Sequence, residues 1–243
     1  PAPIEPVFLD FTKDLQVFKW KDKVDVWYKQ NQENQLFELM FHYKLGTGTD
    51  PKTALAINYL NYLGTDKYNL QQIKTEFYKL GCDYSLSASE DQIRIGLSGL
   101  TENFDAAFQL LEQLFTNPRA DEQALKDLID GIIKQRADAK LDKNTILRAG
   151  LINYAKFGSF SAFTNILPEE ELKKIKAEEL IQLIKGLPQY EKTIWYYGPQ
   201  TQTEFTASLE KLHKVPADLK PVPARRIYKE LSFDNTEVYW INY

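Results

Sequence analysis

Apolar residues recur along this chain with two different periods, and the switches between them lay out strands alternating with helix pairs. Gln16–Lys21, Lys23–Lys29 and Leu36–Leu45 read as strands. In the second, Val24, Val26 and Tyr28 alternate with Asp25, Trp27 and Lys29, the two-residue period of a strand with one buried face. The third is apolar almost throughout, Leu36-Phe37-Glu38-Leu39-Met40-Phe41-His42-Tyr43, which predicts a place in mid-sheet. Gly46-Thr47-Gly48-Thr49-Asp50 interrupts it, and Pro51 opens a helix at a favoured first-turn position.

The period then becomes helical, with helices predicted over Pro51–Leu63 and Asn69–Leu80. Asn69 is an expected N-cap, and Gly81 ends the second helix. Asp83–Ser89 and Gln92–Ser98 form a predicted hairpin turning at Glu90-Asp91. After Thr101-Glu102-Asn103, residues Phe104, Ala107, Phe108, Leu111, Leu114 and Phe115 share one helix face until Asn117-Pro118 stops it. Further helices are expected over 121–141, Thr145–Phe157, 168–174, 177–186 and Thr201–Leu212, with a buried strand at Thr193–Tyr197. The implied architecture is α+β: a mostly antiparallel sheet with helices packed on one face.

The flanks divide the chain. Residues 1–14, opening on Pro1-Ala2-Pro3-Ile4-Glu5-Pro6, read as a linker from an upstream domain. Residues 15–215 read as the α+β domain. Residues 216–243 read as a Pro-rich linker (Pro216, Pro221, Pro223) followed, from Glu237, by the first strand of another domain. No leader is visible and the chain lacks an initial Met, so it reads as a piece of something longer.

Composition narrows the function. A net charge of −4 with Lys and Arg spread along the chain gives no basic stripe, which argues against nucleic acid. No apolar run reaches membrane-span length. The single Cys82 excludes an internal disulfide framework and a Cys-cluster metal site, and it reads as a small buried hydrophobe. The two histidines, His42 and His213, are far apart and lack a second ligand at metal spacing, so both read as structural. No Gly-x-Ser-x-Gly elbow occurs, and Gly46-Thr47-Gly48 is too short for a phosphate cradle. The acids of 121–138 lie beside Lys126 and Lys134 and read as a solvated helix face.

The run Ala54-Leu55-Ala56-Ile57-Asn58-Tyr59-Leu60-Asn61-Tyr62-Leu63-Gly64-Thr65 resembles the zinc helix of the M16 metallopeptidases, the pitrilysin, insulin-degrading enzyme and mitochondrial processing peptidase family. In active members that helix carries His-x-x-Glu-His, two His holding zinc while the Glu activates the metal-bound water. The corresponding positions here are Asn58, Asn61 and Tyr62. Leu80-Gly81-Cys82-Asp83-Tyr84, Leu100-Thr101-Glu102-Asn103-Phe104 and Trp195-Tyr196-Tyr197-Gly198-Pro199 fit the same family in order and spacing. The third ligand of active members is a Glu on the long helix, where this chain has Ile132–Asp138 with Asp138 its only acid.

The resemblance implies a LuxS/MPP-like metallohydrolase-type domain from the inactive half of such an enzyme, with no catalytic or metal residue and no cofactor of its own. It implies zinc in a catalytic half, and as partners the other M16 domains of the protein or of a second subunit, around a peptide substrate. Its role would be to shape the degradation chamber and pack against the catalytic half. Bacterial relatives suggest a periplasmic or otherwise exported location, with a cytoplasmic one left open. The alternatives are a scaffold subunit without a proteolytic partner, and a peptide-binding module using 83–89 as a sheet edge. Arg148 and Tyr154 share a predicted helix, but the family's substrate-gripping Arg and Tyr belong to the domain that would follow, so both read as helix surface.

Overall fold

The computed structural model describes residue 8 and residues 10–241, with Thr12 described by its backbone. A short helix α1 (Phe11–Asp14) leads into β1 (Gln16–Trp20), β2 (Val24–Gln30) and β3 (Leu36–Tyr43). Helices α2 (Pro51–Leu60) and α3 (Leu70–Lys79) precede the hairpin β4 (Cys82–Ala88) and β5 (Ile93–Leu100). Then come α4 (Phe104–Thr116), α5 (Glu122–Ala139), α6 (Ile152–Phe157), α7 (Glu169–Leu172), α8 (Ala177–Gly186), β6 (Thr193–Gly198) and α9 (Gln202–Leu212).

The six strands form one sheet in the order β1-β2-β6-β3-β5-β4. Four pairings are antiparallel; β6, which arrives after the helices, slots into the middle antiparallel to β3 and parallel to β2. The expected mid-sheet place of β3 is therefore met. Strand alternation turns Val24, Val26, Tyr28, Phe37, Leu39, Phe41, Ile95, Leu97 and Ile194 toward the helices, where all are buried. Helix α4 packs on β5 and α9, and α2 packs on α8 and β4, so the helix layer covers that face alone. At its centre Phe104 meets Phe37 edge-on at 4.8 Å and Tyr196 at 5.9 Å.

Local chemistry sets the helix ends. Asp50 caps α2, accepting from the Lys52 and Thr53 amides and the Thr53 hydroxyl, with Pro51 next. Asn69 and Thr201 each form a reciprocal capping box, with Gln72 and Glu204. Helix α2 ends earlier than the pattern predicts. Beyond Leu60 the amides of Asn61, Tyr62 and Leu63 turn to the carbonyls three residues back, a tighter winding. Gly64 then passes so close to the Tyr68 carbonyl that a Cβ would lie 2.3 Å from its oxygen.

Three further expectations are corrected. Strand β6 is buried on one side only: Ile194 and Tyr196 face the core, while Trp195 and Tyr197 stand on the helix-free side, because a strand with helices on one face buries every second residue. The helix over 145–157 begins with wide π-type turns at Thr145–Leu151 before α6. The strand expected from Glu237 is not formed over 237–241, where the chain is irregular, largely exposed and paired with no strand among the described residues. Residues 242 and 243 of that expectation lie outside the described residues, as do 1–7 and 9 of the expected upstream linker.

The Pro-rich stretch is docked, and beyond it the Leu231 amide donates to the Lys156 carbonyl. Val215, Leu219 and Val222 pack against the core. The Lys23 ammonium donates to the carbonyls of Pro216 and Ala217. Lys220 bridges to Gln189 and Glu191 through backbone hydrogen bonds, and the Arg226 amide donates to the Gly48 carbonyl.

Candidate functional site

The three positions that the resemblance sets against the zinc motif lie together at the C-terminal end of α2, beside edge strand β4. Asn58 lies in the last turn of the helix, Asn61 is its C-cap residue, and Tyr62 follows, half exposed. The Asn61 amide donates long hydrogen bonds, each 3.4 Å, to the carbonyls of Ile57, Asn58 and Leu86. It thereby ties the helix end to the middle of β4. Asn61, Tyr62, Cys82, Asp83 and Tyr84 border a hollow of about 670 Å³ there.

This donor set does not fit a zinc ion. Zinc in proteins is held by thiolates, imidazoles and carboxylates, and here two neutral amides and a phenol stand instead. The Asn61 nitrogen is already committed to carbonyl oxygens. Cys82 is buried, and that burial pushes its thiol up, a hydrogen bond with the Leu100 carbonyl working the other way. Asp138 is remote: α2 touches the start of α5 through Tyr59, whose hydroxyl donates to the Asp121 carbonyl at 2.7 Å. Asp138 lies near the far end of α5, roughly 25 Å further along at 1.5 Å per residue. Among the described residues no group of three or more His, Cys, Asp or Glu is placed to hold a metal.

The other singled-out residues are scattered. His42 sits on the helix-free face of β3, its Nε2 2.7 Å from Gln92 Oε1. His213 closes α9 on the opposite side of the sheet, buried between Phe41 and Phe108, with Nδ1 2.8 Å from Glu112 Oε1 and Nε2 without a hydrogen-bond partner. Burial holds its pKa below the usual value, against the pull of Glu112. Near it Lys192, only 6% exposed, donates to the Pro188 carbonyl at 2.7 Å. Desolvation brings that ammonium down to about 8, partly offset by Glu112. Arg148 lies exposed in the π-wound turn, and Tyr154 on α6 meets Tyr239 edge-on at 6.1 Å.

The sequence reading passed over the helix-free face itself. Parallel pairing aligns Trp27 of β2 with Trp195 of β6, and their rings stack at 5.3 Å with a 5° tilt. A groove of about 830 Å³ lies over this face, between α1 and edge strand β4. The alternation of Trp27 with Val26 and Tyr28 was a signal that this indole points away from the core.

Residues 53–156 match the family description "Insulinase (Peptidase family M16)". No curated protein matches the sequence. Among solved structures the chain is similar to the periplasmic protease PqqL from Escherichia coli, with a TM-score of 0.74 at 17% identity, covering 95% of this chain and 26% of that one. It is similar to the ferredoxin protease FusC, solved with Arabidopsis ferredoxin, at TM-score 0.72 and 16% identity, covering 95% and 27%. A peptidase M16 inactive domain from Pseudomonas fluorescens follows at TM-score 0.69 and 16% identity, covering 87% and 54%. The chain thus spans about a quarter to about half of the length of the proteins it resembles.

Proposed function

We propose that this chain, a domain of the insulinase family, peptidase family M16, is a non-catalytic domain that shapes a peptide-degradation chamber and packs against the catalytic half of a zinc peptidase. One observation carries the reading: the helix end that would hold zinc presents Asn58, Asn61 and Tyr62, with the Asn61 amide bound to the adjacent strand. A neutral amide cannot serve as the general base that the Glu of the active motif supplies. The likeness to a domain described as inactive supports the same assignment.

Packing against other domains is supported by apolar surface that this chain leaves open. Leu147, Ile152, Tyr154, Phe160, Phe163 and Ile166, on the segment around α6, are each close to half exposed or more. So much exposed apolar area on one segment is the mark of an interface. Zinc would then belong to another domain of the same protein or to a partner subunit, and the peptide to the chamber between them. Export to the periplasm is supported only by the PqqL likeness. A scaffold role without proteolysis is the alternative; the protease neighbours favour the first reading.

The test is zinc content and peptidase activity of the purified chain, with zinc supplied and a mixed-peptide substrate. The expected result is no stoichiometric zinc and no cleavage. Stoichiometric zinc with cleavage, both lost in Asn58→Ala, would overturn the assignment.

A further inference from the structure

On the helix-free face of the sheet the strand register builds two adjacent rows of side chains with opposite characters. One row runs Val17, Trp27, Trp195, Met40, then drops to Gly96 and Ser85. The next runs Lys29, Tyr197, Glu38, Ser98, Asp83. The first is an apolar ridge ending in a step, because glycine and serine leave the sheet surface low beside Met40. The groove of about 830 Å³ occupies that step and its surroundings, with α1 along one side.

Trp27 is 39% and Trp195 41% exposed, a large aromatic area on a face that, among the described residues, only α1 borders along one side. The charges beside it are unequal. Lys29 is matched by Asp14 at 3.9 Å. Glu38 and Asp83 are exposed, and among the described residues no basic side chain pairs with either. The groove is therefore aromatic on its ridge and anionic on its flank.

We infer that this groove binds an extended polypeptide segment carrying an aromatic or large apolar side chain with a Lys or Arg two residues away. Spacing supports the pattern. Met40 and Glu38 are two residues apart on one face of β3, about 6.8 Å along the strand. An extended peptide places its residues i and i+2 on one side at that same interval. An aromatic ring laid on the Trp195–Met40 ridge thus sets the base over Glu38, with Asp83 within reach two strands on, about 10 Å away. The same two carboxylates disfavour an acid on this flank, while exposed Arg94 stands on the other side of the ridge.

The inference rests on the chamber-wall reading for its biological meaning but not for its physics. The experiment is calorimetric titration of the 243-residue chain with acetylated, amidated heptapeptides containing Phe-Ser-Lys or Phe-Ser-Glu. The Lys peptide is expected to bind at least tenfold more tightly than the Glu peptide. Trp195→Ala should weaken binding of the Lys peptide. The double variant Glu38→Lys, Asp83→Lys should reverse the preference; both sites are exposed, and circular dichroism checks that the variant is folded. Equal binding of the two peptides, no binding of either, or a preference unchanged in the double variant would overturn the inference. So would a self-association of the chain that Trp195→Ala abolishes, since a second copy would then be the occupant. A chain that binds zinc and cuts peptides, yet reverses its preference in the double variant, would sink the non-catalytic assignment and leave the groove standing.

Discussion

Replacing Lys192 by Met should stabilise this protein at neutral pH, although it removes a charged residue that makes a good hydrogen bond. Lys192 is 6% exposed and sits over the Tyr43 ring, 5.7 Å from its centroid. Its ammonium falls from the usual 10.5 to about 8, with desolvation the larger cause and the Glu112 charge a partial offset. At roughly 1.4 kcal/mol per pH unit, keeping the proton in the folded state at pH 7 costs about 3 kcal/mol. Met fills a similar volume without that cost, but it strands the Pro188 carbonyl, for about 1 kcal/mol. The net expectation is a gain of about 2 kcal/mol at pH 7.

The sign with pH follows. A lysine whose folded-state pKa is depressed adds stability as pH rises from about 8 toward 10.5, because the unfolded chain still holds the proton there. The parent protein should therefore close the gap on Lys192→Met by about pH 9.5, where the lost hydrogen bond offsets the remaining charge cost. The assay is urea unfolding of both proteins at pH 7.0, 8.5 and 9.5, followed by tryptophan fluorescence. Tyrosine titration affects both alike and cancels in the difference. A variant less stable at pH 7, or a gap that stays flat over this range, would refute the reasoning.

His213 gives the acid-side counterpart. Burial depresses its pKa despite Glu112, so its contribution is complete above about pH 6.5 and is lost as pH falls below that value. His213→Gln, which can still hydrogen-bond Glu112, should flatten the loss of urea midpoint between pH 6.5 and 5; an unchanged slope would count against it. In the core, Phe104→Ala should cost about 4 kcal/mol and Phe104→Leu about 1, as the ring is fully buried and meets four aromatic neighbours. Equal costs in denaturant unfolding would mean that ring packing is not what holds α4 to the sheet.

Much of this domain was written locally. The two-residue alternation of β2, the Glu90-Asp91 turn between β4 and β5 and the Asn69 cap are legible because each depends on residues a few positions apart. So is the altered chemistry at Asn58, Asn61 and Tyr62, which is a matter of residue type. What neighbours in sequence could not specify is where β6 goes. Its insertion between β2 and β3 brings Trp195 onto Trp27 and creates the aromatic ridge from positions that read separately as a half-buried strand and a buried one. The same folding encloses Lys192 and His213 with Glu112, three residues from separate stretches of chain. Periodicity tells a residue which side of its own strand it occupies; only the order of strands in the sheet decides what stands beside it there. The energies that fix that order are collective burial and pairing across long separations in the chain, and no local pattern carries them.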